Sequence, residues 1–187
     1  MNSFSIYFAF IQLLLIYIRN TQMLERTRKF EIQHTLLRFG RDYSVRDING
    51  NSNYKIVYKW LHSLGKTLKI EENHKVLYEI KHVVGRLYAE WQIYQNETLI
   101  SQLKHEPSIF DVIYKVKSVN GNYRIQGNFL LHNFNIRKRR VKVAKIHKNH
   151  VHSSDTYGID INSKEDPAFI IALCIIIDVI RHHYSDM

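Results

Sequence analysis

The sequence predicts one mainly β domain, with about twelve short, mostly antiparallel strands closed into a barrel around an apolar C-terminal helix. Three observations lead there. From about Arg28 to Ile161, apolar and polar residues alternate with period two, the pattern of strands with one buried and one wet face. Turn signals interrupt that alternation at intervals of about ten residues, the spacing of a hairpin meander. Near the end, Pro167 to Ile180 reads PAFIIALCIIIDVI, apolar on every side except at Asp178. A helix of that kind requires burial all round.

The N-terminal residues 4–18, FSIYFAFIQLLLIYI, are too few for a comfortable membrane span, which takes about 20 apolar residues. They also make a poor signal peptide, because the positive charges Arg19, Arg26, Arg28 and Lys29 follow the apolar part instead of preceding it. Three readings stay open for residues 1–22: a marginal anchor, an extension upstream of a start at Met23, or a segment packed on the domain. The folded domain is expected over residues 23–187.

Strands are expected near 28–37, 41–47, 53–62, 66–71, 75–83, 87–94, 97–105, 109–118, 122–127, 132–137, 141–151 and 155–161. The turns between them are marked by Asn49-Gly50, Leu64-Gly65-Lys66, Asn73-His74, Gly85, Asn96-Glu97, Glu106-Pro107, Asn120-Gly121 and Lys138-Arg139. A weak echo of strand, glycine, basic residue, strand recurs in LLRFGRDYSVRD, LHSLGKTLKIEE and VVGRLYAEWQIY, which suggests repeated hairpins. A meander of this length curls, and closing it removes exposed edges. The last element is a helix over 166–182, with Pro167 at its first position and Ser163, Glu165 and Asp166 as capping and first-turn acids. Arg181, His182 and His183 suit its negative end.

Composition narrows the function classes. The 187 residues are 45% hydrophobic and 24% charged, a balance for one ordinary core. A net charge of +10 favours anionic partners of any class. Cys174 is the single cysteine, so no intramolecular disulfide and no thiolate cluster can form within the chain, in keeping with a reducing, cytoplasmic setting.

Several motifs resemble a known family: FGRDYSVRDINGN (39–51), LHSLGKTLKI (61–70), YRIQGNFLLHNFNI (123–136), and above all SSDTYGIDI (153–161) leading into EDPAFIIALCIIIDVI (165–180). From about Met23 to its end the chain resembles the LURP-one-related family, which shares the tubby C-terminal-like fold with tubby proteins and phospholipid scramblases. The resemblance implies a twelve-stranded closed barrel around a central hydrophobic helix. By analogy of fold it points to phospholipid and membrane surfaces, and it implies no catalytic residues.

Candidate chemistry is sparse. Leu64-Gly65-Lys66-Thr67 ends like a phosphate-binding loop, but Trp60 stands where that loop needs its first glycine, so a basic hairpin turn is the reading. His147, His150 and His152 could suggest a metal. Alternation sends His147 and His150 to opposite faces, and no metal or other cofactor is expected. Cys174 reads as a small core residue. Asp178, expected one turn from the helix end, needs a partner near the barrel mouth. The best partner-facing feature is the basic hairpin Arg137, Lys138, Arg139, Arg140, Lys142 and Lys145, with Lys148 beyond. It suits anionic phospholipid at a membrane surface, while nucleic acid is disfavoured because no reading helix, zinc module or RNA-binding aromatic motif accompanies the charge. The expectation is a non-enzymatic binding domain, the alternatives being a protein-interaction module and a scramblase-like membrane protein.

Overall fold

A computed structural model describes residues 7, 10–15, 27–37, 40–49, 53–61, 65–85, 90–108, 112–128, 133–148 and 156–185. Twelve strands precede one long helix: β1 (Thr27–Leu37), β2 (Gly40–Asp47), β3 (Asn53–Leu61), β4 (Gly65–Glu72), β5 (Lys75–Val83), β6 (Glu90–Gln95), β7 (Thr98–Glu106), β8 (Val112–Ser118), β9 (Tyr123–Asn128), β10 (Asn133–Lys138), β11 (Val141–Lys148), β12 (Thr156–Asn162) and the C-terminal helix (Pro167–Ser185). Each strand pairs antiparallel with its neighbours in sequence, and β12 returns to β1, with Phe30 opposite Ile159 and Ile32 opposite Tyr157. The barrel is closed.

The alternation in the sequence becomes the two faces of its wall. In β4, Leu68 and Ile70 are fully buried while Lys69 and Glu71 are partly wet; in β8, Tyr114 and Val116 point in and Lys115 points out. The helix fills the interior, and Ala168 to Ile177 are all buried. At roughly 25 cal/mol per Å² of apolar surface, a run of this kind is a main source of stability, and it explains why the helix carries no polar face. Asp166 caps it, accepting from the backbone N–H of Ala168 at 2.9 Å, with Pro167 at the first helical position.

Two expectations shift in detail. The helix runs to Ser185, so Asp178 lies about two turns from its end and not one. Of the three residues proposed to cap or charge the helix start, Asp166 alone caps; Glu165 turns to the wall and Ser163 sits exposed in the preceding turn. Irregularities the alternation did not foretell occur where β4 meets β5, β6 meets β7, and β10 meets β11. In each an extra residue, Leu77, Ile100 or Val143, sits unopposed in the second strand of the hairpin, a β-bulge that reverses which face the following positions take.

Of residues 1–22, positions 7 and 10–15 are helical, with Tyr7, Phe10, Ile11 and Leu13 to Leu15 exposed. The rest of that segment lies outside the described residues. No described helix is long and apolar enough to cross a membrane.

A candidate cationic surface on the barrel wall

Strand register assembles a feature that spans five strands. Lys104 on β7 stands opposite Lys115 on β8, Lys115 opposite Arg124 on β9, Arg124 opposite Arg137 on β10, and Arg137 opposite Lys142 on β11. All five are exposed. They point outward because their flanking residues point in: Tyr114 and Val116 bracket Lys115, and Tyr123 and Ile125 bracket Arg124. With strands about 4.8 Å apart, the row is about 19 Å long, and its charges lie within one Debye length of their neighbours. It therefore presents one continuous field.

Two carboxylates temper that field at one end. Glu106 lies 2.7 Å from Lys115 and 3.4 Å from Arg124, and Glu90 lies 3.2 Å from Lys104. The hydrogen bond from Lys115 holds the Glu106 carboxyl below the usual carboxylate range, helped by the charges of Lys115 and Arg124 and opposed by burial. At the other end, Arg137, Arg139, Arg140 and Lys142 are exposed and have no carboxylate partner among the described residues.

Within the hairpin singled out from the sequence, the structure separates one residue from the rest. Lys138 folds back over the tip, where its ammonium donates to both oxygens of Glu165 at 3.3 and 3.2 Å and lies 5.1 Å above the Tyr123 ring. Tyr123 donates to the same carboxylate at 2.8 Å. Lys138 thus fastens the helix start to β9 and β10. Arg139 takes the left-handed turn position, at φ 56°, and aims outward with Arg140. Lys145 is half-buried, opposite Asn135 and Asp160. Lys104, Lys115 and Arg124 were not among the residues expected from sequence, and they extend the surface to three more strands.

The remaining candidates take structural places. Gly65 and Lys66 pair with Leu61 and Trp60 in a β3–β4 hairpin. His147 lies 3.6 Å from Asp160 with its ring against Gly158; His150 and His152 lie outside the described residues. No group of three metal-ligating side chains occurs among the described residues. Cys174 is buried, and burial pushes its thiol ionisation well up. Asp178 accepts from the Tyr43 hydroxyl at 3.0 Å. Tyr78 donates to Asp166, and the hydroxyls of Tyr78 and Tyr123 both ionise well above their ordinary value, first through burial and then through those carboxylates. An apolar crevice beside Cys174 and Asp178 holds about 30 Å³, room for about one water.

The profile of the LURP-one-related family matches residues 28–178, a span from β1 to Asp178 of the helix. No curated protein and no solved structure matches the chain.

Proposed function

The chain belongs to the LURP-one-related family, and from that premise and the cationic wall of its barrel we propose that it is a non-enzymatic binding domain recognising anionic phospholipid at the cytoplasmic face of a membrane. The observation that carries this reading is the row of five cations on five successive strands. Like charges directly opposite one another weaken a sheet, and at the Arg137–Lys142 end no carboxylate among the described residues offsets that cost. An anionic surface does, because each cation near it contributes about 1 kcal/mol.

A binding role is further supported by where the buried polar groups are spent. Tyr43 with Asp178, Tyr78 with Asp166, and Tyr123 with Glu165 and Lys138 all tie the helix to the wall. The crevice at the helix admits little more than a water. The cationic row faces outward, which supports binding at the outer surface.

The test is co-sedimentation of the full chain with phosphatidylcholine vesicles and with vesicles also containing phosphatidylserine, at low and high salt. The protein should pellet with the anionic vesicles and largely release as salt rises. Changing Arg124, Arg137 and Lys142 together to Gln should weaken low-salt binding on the order of a hundred-fold. Protein that stays in solution with every vesicle would remove the membrane reading.

A further inference from the structure

The meander places the turns β2–β3, β4–β5, β6–β7, β8–β9 and β10–β11 at one end of the barrel, the end at which the chain also enters the helix. At or beside each of these five turns stands one exposed aliphatic residue: Ile48, Val76, Leu99, Val119 and Val141. Val84, in the β5–β6 turn, is exposed at the opposite end. Part of this pattern is built by the bulges. The extra residues Leu77 and Ile100 reverse the alternation, so that Val76 and Leu99 leave the core face. Val119, in the β8–β9 turn, is 72% exposed, and Val141, at the β10–β11 tip, is 58% exposed. Leu99 and Val119 line one shallow groove with Ile100 and Asn122.

Charge selects one sector of this rim. Glu71, Glu72 and Glu97 crowd the side of β4 to β7, whereas Lys117, Arg139, Arg140 and Lys142 surround Val119 and Val141, where Glu165 is already engaged by Lys138. The cationic row runs down the wall directly from this sector. Leu99 and Val119 share one groove and Val141 stands among Arg139, Arg140 and Lys142, so the aliphatic surface is small and flanked by cations, whereas a protein interface has a larger contiguous apolar core. A few aliphatic teeth among cations match the boundary between lipid headgroups and acyl chains.

We propose that the barrel docks tilted onto an anionic bilayer by this end, with Leu99, Val119 and Val141 entering the headgroup boundary while Lys117, Arg139, Arg140 and Lys142 engage lipid phosphates. This rests on the anionic-lipid reading above and adds an orientation and a second, apolar component to it. Salt screens the cations and leaves the teeth untouched, so the two components separate by salt.

The test introduces a cysteine at Val119, Val141 or, as the opposite-end control, Val84, and attaches an environment-sensitive fluorophore. Buried Cys174, its thiol held protonated, does not compete for the label. On phosphatidylserine-containing vesicles, the labels at 119 and 141 should shift to the blue and be quenched by lipids spin-labelled high on the acyl chain; the label at 84 should do neither. Changing Val119 and Val141 together to Ser should lower the binding that remains at high salt on the order of ten-fold. A shift at 84 instead, or vesicle binding without a shift at 119 and 141, would overturn end-on docking while leaving lipid recognition standing. No vesicle binding by the unmodified chain would overturn both.

Discussion

Arg137→Gln should make the protein more stable and a weaker binder at once. Arg137 lies between two like charges, opposite Arg124 on β9 and Lys142 on β11. Two unit charges about 5.5 Å apart in water repel by about 0.75 kcal/mol, and opposed strand pairs of like charge cost between roughly 0.2 and 1 kcal/mol. Relieving both contacts at low salt should raise stability by about 1 kcal/mol, or about 2–4 °C in Tm for a chain of this length. The same change removes one cation from the surface and should weaken binding to anionic vesicles about five-fold. Thermal unfolding at low salt and at high salt, beside vesicle partitioning, reads both effects. The stabilisation should fade as the Debye length contracts from about 10 Å at 0.1 M salt to about 3 Å at 1 M. A lower Tm, or a gain that survives high salt, would refute the account of the row as a strained electrostatic array.

Glu106→Gln should strengthen low-salt vesicle binding about five-fold by releasing Lys115 and Arg124; because the Glu106 carboxyl titrates below its usual range, the unchanged protein should show no such gain on acidification until the pH passes below that range. Two glycine changes should differ in kind. A Cβ at Gly127 would strike the backbone of Asn133 and Phe134, so Gly127→Ala should cost about 3 kcal/mol in urea unfolding. A Cβ at Gly158 would strike the His147 ring, which can swing into solvent, so Gly158→Ala should cost about 1 kcal/mol, most of it recovered when His147→Ala is added; equal costs without rescue would show the contacts misjudged. Tyr78 and Tyr123 ionise later in the folded state than their ordinary value of 10.0, so the stability they contribute is complete below that pH and is lost as pH rises above it toward the folded value. Melting followed from pH 8 to 11 should fall less steeply when both tyrosines are Phe.

The strands and the helix were legible because each is written in a local period. Leu68 and Ile70 against Lys69 and Glu71 announce one wet face, and Pro167 to Ile177 announces a helix with none. Bulges were not legible, since one extra residue leaves adjacent side chains such as Val143 and Ala144 both buried, a local break in a pattern otherwise kept. The basic hairpin was visible as a run of charge, but its extension depends on register. Lys115 faces Arg124 because the β8–β9 turn pairs Val116 with Tyr123, and reading that pairing from the Asn120-Gly121 signal would have joined the two strands. Lys138 looks like its neighbours in sequence and differs only by meeting Glu165, 27 residues on. Asp178 plainly needed a partner, yet nothing local could name Tyr43, 135 residues away.

The helix at the centre of the barrel leaves the ribosome after every strand of the wall that surrounds it. Until Pro167 to Ile180 emerges, the wall has nothing to close around, and β1 waits for a partner strand some 130 residues downstream. Growing hairpins therefore spend most of synthesis with their inner faces uncovered, at a rate of about 5–20 residues per second. Nascent-chain length thus controls the onset of protease resistance, which should come in a single step once the helix has emerged, and holding chaperones have their longest engagement with the barrel before that helix is made.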